Sequence, residues 1–251
     1  MPGVTRRTRR WGGVPWVCGY GFAVVFGRHG HHLGAEEAMP TEFLECSPEA
    51  AKATILFAHG AGAPMDSPAM TAIADALAEQ GLRVVRFEFS YMATRRTEGA
   101  RKPPPRAEKL NSEYLEAIEG LEVDGPLIIG GKSMGGRVAS MIADELFEAD
   151  RITGLLCVGY PFHPIGKPEK LRTEHLQYLR TPTLICQGTR DQFGSIDEVG
   201  SYELSSAIQL SWFEDGDHDL KPRKRVSGFT HADHIASMGA AVSAWVKDLV
   251  G

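Results

Sequence analysis

A doubly wound α/β fold, with a mostly parallel sheet covered by helices on both faces and no separate lid domain, is predicted by three observations. Short β-rich runs alternate with amphipathic helical patterns from Glu42 onward. Most of these runs are apolar on both faces, as strands packed between helices must be. No insertion between them is long enough to build a further domain, and 251 residues at 43% hydrophobic suffice for one large core.

The strands are read from "TILFA" (Thr54 to Ala58), "RVVRFEF" (Arg83 to Phe89), "PLIIG" (Pro126 to Gly130), "GLLCVG" (Gly154 to Gly159), "TLICQ" (Thr183 to Gln187) and "IQLSWF" (Ile208 to Phe213). Between the first two, Ser67 as N-cap, Pro68 at the first helical position, the stripe Met70, Ile73, Ala74, Leu77 and a stop at Gly81 predict a helix. Leu110, Tyr114 and Ile118 mark a second helix, and Val138, Met141, Ile142 and Leu146 a third. A last helix buries Ile235, Met238, Val242, Trp245, Val246 and Leu249. The stretch from Tyr91 to Lys109, with three consecutive prolines, reads as an irregular loop leaving the strand edge where open α/β sheets place their sites.

Residues 1 to 40 differ in composition from the remainder of the chain, so the domain is placed at 41 to 251 and the segment before it is taken as an extension, disordered or upstream of a true start at Met39. Paired arginines before Trp11 resemble the start of a twin-arginine signal, but glycines and Pro15 interrupt the apolar segment and no small-residue cleavage site comes after it. That segment is also too short and too broken to span a bilayer. The net charge of −5 gives no reason to expect nucleic acid or an anionic membrane as partner, and a cytoplasmic location is expected. Cys18, Cys46, Cys157 and Cys186 lie far apart, without disulfide or metal spacing; His29, His31 and His32 cluster in the extension. No metal or organic cofactor is expected.

The stretch "LIIGGKSMGGRVAS", Leu127 to Ser140, carries the chemistry. A phosphate-binding loop ending in Gly131-Lys132-Ser133 needs a glycine at position 126, where Pro126 stands, and a loop where Leu127 to Gly130 form a strand. The alternative, Gly131-Lys132-Ser133-Met134-Gly135, fits a strained strand-to-helix turn that lifts a nucleophilic serine over the sheet edge. Such a serine needs a base and an orienting acid, which come after it in the order Ser, Asp or Glu, His. Asp191 in "TLICQGTRDQFG" and His218 in "IQLSWFEDGDHDL" fill those places, each beyond a predicted strand. His163, His231 and His234 are rival bases; Asp215, Asp217 and Asp219 are expected to shape the turn around His218. Oxyanion donors are expected at the N–H of Met134 and of Ala61 or Gly62 in "AHGAGAP", with His59 propping that loop.

The blocks "AHGAGAPMDSP", "RFEFSYMATRR", "PPPRAEKL", "GGKSMGGRVAS", "GYPFHPIGKPEKLRTEHL", "QGTRDQFG" and "DGDHDLKPRK" resemble the α/β-hydrolase superfamily, within it the small lidless branch of dienelactone-hydrolase-like proteins. They are similar to a group that includes testis-expressed hydrolase-like proteins and a scaffold subunit of a histone acetyltransferase complex. The similarity spans about residues 41 to 251 and implies an α/β-hydrolase fold with Ser133, Asp191 and His218 as triad.

The expected activity is hydrolysis of an ester or related acyl compound through an acyl-enzyme. The alternatives are an interaction or scaffold protein on the same fold, and a peptidase or thioesterase with the same triad. The expected partner is a small acyl substrate, with an anionic group suggested by basic residues in segments bordering the site. These are Arg95, Arg96, Arg101 and Lys102 after one strand, and Lys221, Arg223, Lys224 and Arg225 after His218.

Overall fold

The computed structural model describes residues 22–26, 41–99 and 103–251. The candidate residues Arg101 and Lys102, the His29, His31 and His32 cluster and the paired arginines before Trp11 lie outside them. Among the described residues eight strands form one sheet: β1 (Phe22–Phe26), β2 (Glu42–Cys46), β3 (Thr54–Ala58), β4 (Arg83–Phe87), β5 (Leu127–Lys132), β6 (Gly154–Val158), β7 (Thr183–Gly188) and β8 (Ile208–Phe213). The spatial order is β1-β2-β4-β3-β5-β6-β7-β8, parallel from β4 to β8 and antiparallel where β1 meets β2 and β2 meets β4. The six predicted runs are β3 to β8. The ladder also joins Phe22–Phe26, from the segment read as an extension, to β2.

Helices α1 (Pro68–Glu79), α2 (Ser90–Glu98), α3 (Asn111–Glu119), α4 (Met134–Glu148), α5 (Ile196–Val199), α6 (Lys224–Ser227) and α7 (His231–Val250) come in this chain order. On one face, Met70, Ile73 and Leu77 of α1 and Met238, Val242 and Trp245 of α7 pack on Ile55, Phe57, Val84 and Ile128. On the other, Tyr114 and Ile118 of α3 and Val138, Ile142 and Leu146 of α4 pack on Leu56, Val85, Ile129 and Leu155. The period-2 alternation of Ile55 and Phe57 against Leu56 assigns each strand residue to one of these two layers.

Two expectations change. Tyr91 to Lys109 is not wholly irregular: α2 occupies its first part and ends at Gly99 in the left-handed conformation (φ 67°), and a 3₁₀ turn spans Ala107–Leu110. Ser67 stands at the N-cap of α1, but its hydroxyl makes no capping bond, so Pro68 and the buried stripe define that end. Among the described residues no helix is long and apolar enough to cross a membrane.

Candidate active site

Strand β5 runs into the sheet edge and turns into α4 at Ser133, whose backbone has φ 53° and ψ −115°. A side-chain-bearing residue there is strained, and the strain is held by close packing around it. A Cβ on Gly131 would sit 2.6 Å from the Ala58 carbonyl oxygen, and one on Gly135 would sit 2.5 Å from it. Both neighbours are backbone of β3, so only glycine lets β5 and α4 approach this closely. The Ser133 N–H donates to Val158 O at 3.0 Å, which ties the elbow to β6 as well.

The two residues expected to work with Ser133 meet it. His218 Nε2 lies 2.8 Å from Ser133 Oγ, and His218 Nδ1 lies 2.8 Å from Asp191 Oδ2. The Asp191 carboxylate can only accept from Nδ1–H, which leaves Nε2 as acceptor for the serine hydroxyl. Asp191 is 1% exposed and fully engaged: Gln187 Nε2 donates to Oδ2 at 2.9 Å and the Phe193 N–H to Oδ1 at 2.9 Å. Gln187 also accepts the Tyr160 N–H at 2.7 Å, so one amide joins the acid to the loop after β6. The Phe193 ring packs on the His218 ring at 4.3 Å between centroids.

Lys132, between Gly131 and Ser133, is buried; its Nζ donates to the His218 carbonyl at 2.8 Å and lies 3.1 Å from Asp219 Oδ1. Burial lowers its pKa against the pull of Asp219. The rival histidines serve other contacts. His231 Nε2 and His234 Nδ1 bind the carbonyls of Asp219 and Leu220 on the turn that carries His218, and His163 Nδ1 binds Pro164 O. The flanking aspartates shape that turn: Asp215 holds Arg223, and Asp217 accepts the N–H groups of Asp219 and Lys221.

The "AHGAGAP" loop lies against the elbow, with Gly60 beside Ser133. His59 Nδ1–H donates to Gly60 O at 2.7 Å and Nε2 accepts the Phe89 N–H at 3.2 Å, a bridge that requires the neutral ring. Burial is the main cause of its lowered pKa. Farther along the loop, Arg86 Nη1 holds Met65 O and Glu88 Oε1 accepts the Met65 N–H. The Ala61 carbonyl accepts from Tyr91 Oη at 3.2 Å and from Arg95 Nη1 at 3.3 Å. Among the described residues neither the Ala61 nor the Met134 N–H is used on a protein acceptor. Ala61 and Met134 line a cavity of about 430 Å³ with Ser133; Gly62 lines a neighbouring one of about 410 Å³ with Met92, Arg95 and Gly99.

Of the basic residues singled out in the sequence, the described ones, Arg95, Arg96, Lys221, Arg223, Lys224 and Arg225, do not line the cavity at Ser133. Arg95 stands over the Tyr91 ring, Arg96 pairs with Asp66 and Glu88, Arg223 pairs with Asp215, and Lys221 is exposed. The basic side chains that line that cavity are Arg106, Arg137 and Arg172, none of them among the residues the sequence points to, and neither is Gln187. Arg137 alone left a signal, one helical turn beyond the serine. Among the described residues no group of three or more His, Cys, Asp or Glu is placed to hold a metal ion.

This arrangement of sheet, elbow and edge loops defines a class, and the sequence places the chain in it. The alpha/beta hydrolase domain family matches residues 51–247, and the chain belongs to that family. Its fold is similar to that of a dienelactone hydrolase from Anabaena variabilis (TM-score 0.64, 18% identity, 92% of this chain and 98% of that one). It is also similar to the esterase domain of a Rhodothermus marinus protein (0.61, 19%, 92% and 100%). A serine hydrolase without lid from Xanthomonas campestris matches as well (0.58, 15%, 90% and 94%).

Proposed function

We propose that this α/β hydrolase is a serine hydrolase of a small acyl substrate, an ester or a close relative, with Ser133 as nucleophile, His218 as base and Asp191 as the acid that orients it. The observation that carries this reading is the unbroken chain Ser133 Oγ, His218 Nε2, His218 Nδ1, Asp191 Oδ2, with 2.8 Å at each hydrogen bond. Its ring tautomer is the one that catalysis needs.

In the proposed sequence Ser133 Oγ attacks the acyl carbon as its proton passes to His218 Nε2, and Asp191 stabilises the imidazolium. The carbonyl oxygen takes up negative charge facing the N–H groups of Met134 and Ala61, each such donor being worth on the order of a hundredfold to a thousandfold in turnover. Collapse breaks the bond to the leaving oxygen, which takes the proton from His218. Water then gives a proton to His218 and attacks the acyl-enzyme; the acid departs, and Ser133 recovers its proton.

The test is labelling with a fluorophosphonate probe and turnover of short esters. Wild type labels at Ser133, and Ser133→Ala loses both labelling and turnover, the latter on the order of a millionfold. A folded wild type that neither labels nor turns over would leave a binding protein on a hydrolase fold.

A further inference from the structure

The cavity at Ser133 has three arginines on its wall, Arg106, Arg137 and Arg172, and a single carboxylate, Glu108. Arg137 is in the first turn of α4, its N–H on the Ser133 carbonyl at 3.1 Å, so its side chain leaves the same helix end that carries the elbow. Arg172 arrives from the segment after β6 on a fixed mount. Its N–H donates to Phe162 O at 2.8 Å and its carbonyl accepts from Tyr160 Oη at 3.1 Å, and both aromatic residues are fully buried. A second cavity, of about 570 Å³, shares Glu108, Arg137 and Arg172, adds Glu174 and continues past His175 and Tyr178. The two guanidinium groups are therefore a wall common to both hollows.

Charge on that wall is only partly compensated. Glu108 accepts from Arg137 Nη2, yet Arg137 Nε is buried without a hydrogen-bond partner. Among the described residues the Arg172 guanidinium has neither a hydrogen bond nor an ion pair. Burial lowers the Arg172 pKa, and the neighbouring positive charge of Arg137 lowers it further against the smaller opposing pull of Tyr160 and Glu108, so the two cations sense each other with one carboxylate between them. Holding like charges together in a partly dry wall is unfavourable unless an anion joins them. Guanidinium forks suit planar or tetrahedral oxyanions. Arg106, exposed at the rim, adds positive potential that draws anions in.

We propose that Arg137 and Arg172 form a subsite for an anionic oxygen group of the substrate, a carboxylate or a phosphate monoester, while the acyl carbonyl lies at Ser133. This deepens the hydrolase reading and rests on it. The subsite selects substrate by charge and leaves the bond-breaking steps to the residues at the sheet edge.

The experiment uses three 4-nitrophenyl esters whose acyl chain ends in a carboxylate, in a phosphate monoester or in a neutral methyl ester. In wild type at low salt, kcat/KM favours an anionic ester over the neutral one by on the order of tenfold to a hundredfold, mainly through KM. The ratio shrinks with added salt, collapses in Arg172→Met and is partly kept in Arg172→Lys. Whichever anionic ester leads identifies the group. Labelling of wild type run alongside separates the two ways to fail. A protein that labels but turns over all three esters equally overturns the subsite and leaves the hydrolase intact. A protein that does not label overturns the hydrolase, and the melting temperature with glutarate or inorganic phosphate then decides the subsite. A rise seen in wild type and lost in Arg172→Met upholds it; no rise in wild type overturns it.

Discussion

Strand β5 delivers Ser133 and strands β7 and β8 deliver Asp191 and His218 to the same sheet edge, but the two halves hold their residues by different forces. The serine is held by exclusion: backbone of β3 lies where Gly131 and Gly135 would carry a Cβ, and the turn has no room to relax. Asp191 and His218 are held by polar bonds, from Gln187 and the Phe193 N–H to Asp191, and from Lys132 to the His218 carbonyl. Exclusion depends steeply on distance and fails when a single carbon is added. Hydrogen bonds fail by degrees, because each is one of several and its loss leaves the others. The serine half should therefore respond to mutation as a step and the acid-base half as a slope.

Asp191→Asn is the largest perturbation of the second half and marks the top of its slope. With the shape kept and the ring tautomer lost, turnover of a short ester should fall on the order of ten-thousandfold, with little change in melting temperature. Gly135→Ala tests the step. Its Cβ would stand 2.5 Å from Ala58 O and 2.7 Å from His59 O, both backbone, so stability should fall by about 1–3 kcal/mol or more and probe labelling should disappear with it. Full labelling of that variant would show that the elbow can move, and the contrast would be lost.

Gln187→Leu probes the middle of the slope. The Tyr160 N–H loses its acceptor, at a cost of about 1–3 kcal/mol in denaturant unfolding, while Asp191 keeps the Phe193 bond and turnover survives in part. The companion Gln187→Glu puts a second carboxylate beside Asp191 and should move the acidic limb of the kcat/KM profile to higher pH.

The smallest effect belongs to acid. His59 is neutral in the fold with a pKa held below 6.5, so the unfolded chain binds the extra proton first as pH falls. Its contribution is complete above 6.5 and is lost as pH drops through the folded value; His175, lowered by burial and then by Arg137, adds in the same direction. Unfolding free energy should therefore decline on acidification below 6.5, and His59→Gln should flatten part of that decline.

Legibility in the sequence divides along the same line. Strands β3 to β7 are apolar runs buried along nearly their whole length, and half-exposed β8 keeps the same apolar run, so their pattern is visible without knowing their neighbours. Strand β2 has Glu42 and Glu45 among its five residues and gave no such run. Helix α2 carries Thr94, Arg95 and Arg96 and no long apolar stripe, so it read as loop. Ser133 was visible because exclusion leaves glycines at fixed spacing, and its partners because chain order constrains them. Gln187 and Lys132 act on groups brought close only by the fold: Lys132 reaches a carbonyl 86 residues away, and Gln187 the N–H of a residue 27 away. The basic residues chosen from the sequence were near the site in chain position, but carboxylates that the sequence could not pair with them, Asp66, Glu88 and Asp215, had already taken Arg96 and Arg223.

The separation of 85 positions from Ser133 to His218 also sets an order in time. On a ribosome Ser133, the proposed nucleophile, is made before His218, its proposed base; at roughly 5–20 residues per second the gap lasts about 4 to 17 seconds. During that interval the emerging chain holds the Ser133 hydroxyl without the His218 imidazole proposed to take its proton. A nascent chain stalled before residue 218 should be blind to the fluorophosphonate probe even where β3 to β6 have already folded. On the proposed function the tail of translation is an arming step, with reactivity expected only once the sheet's last strand and the turn after it are in hand.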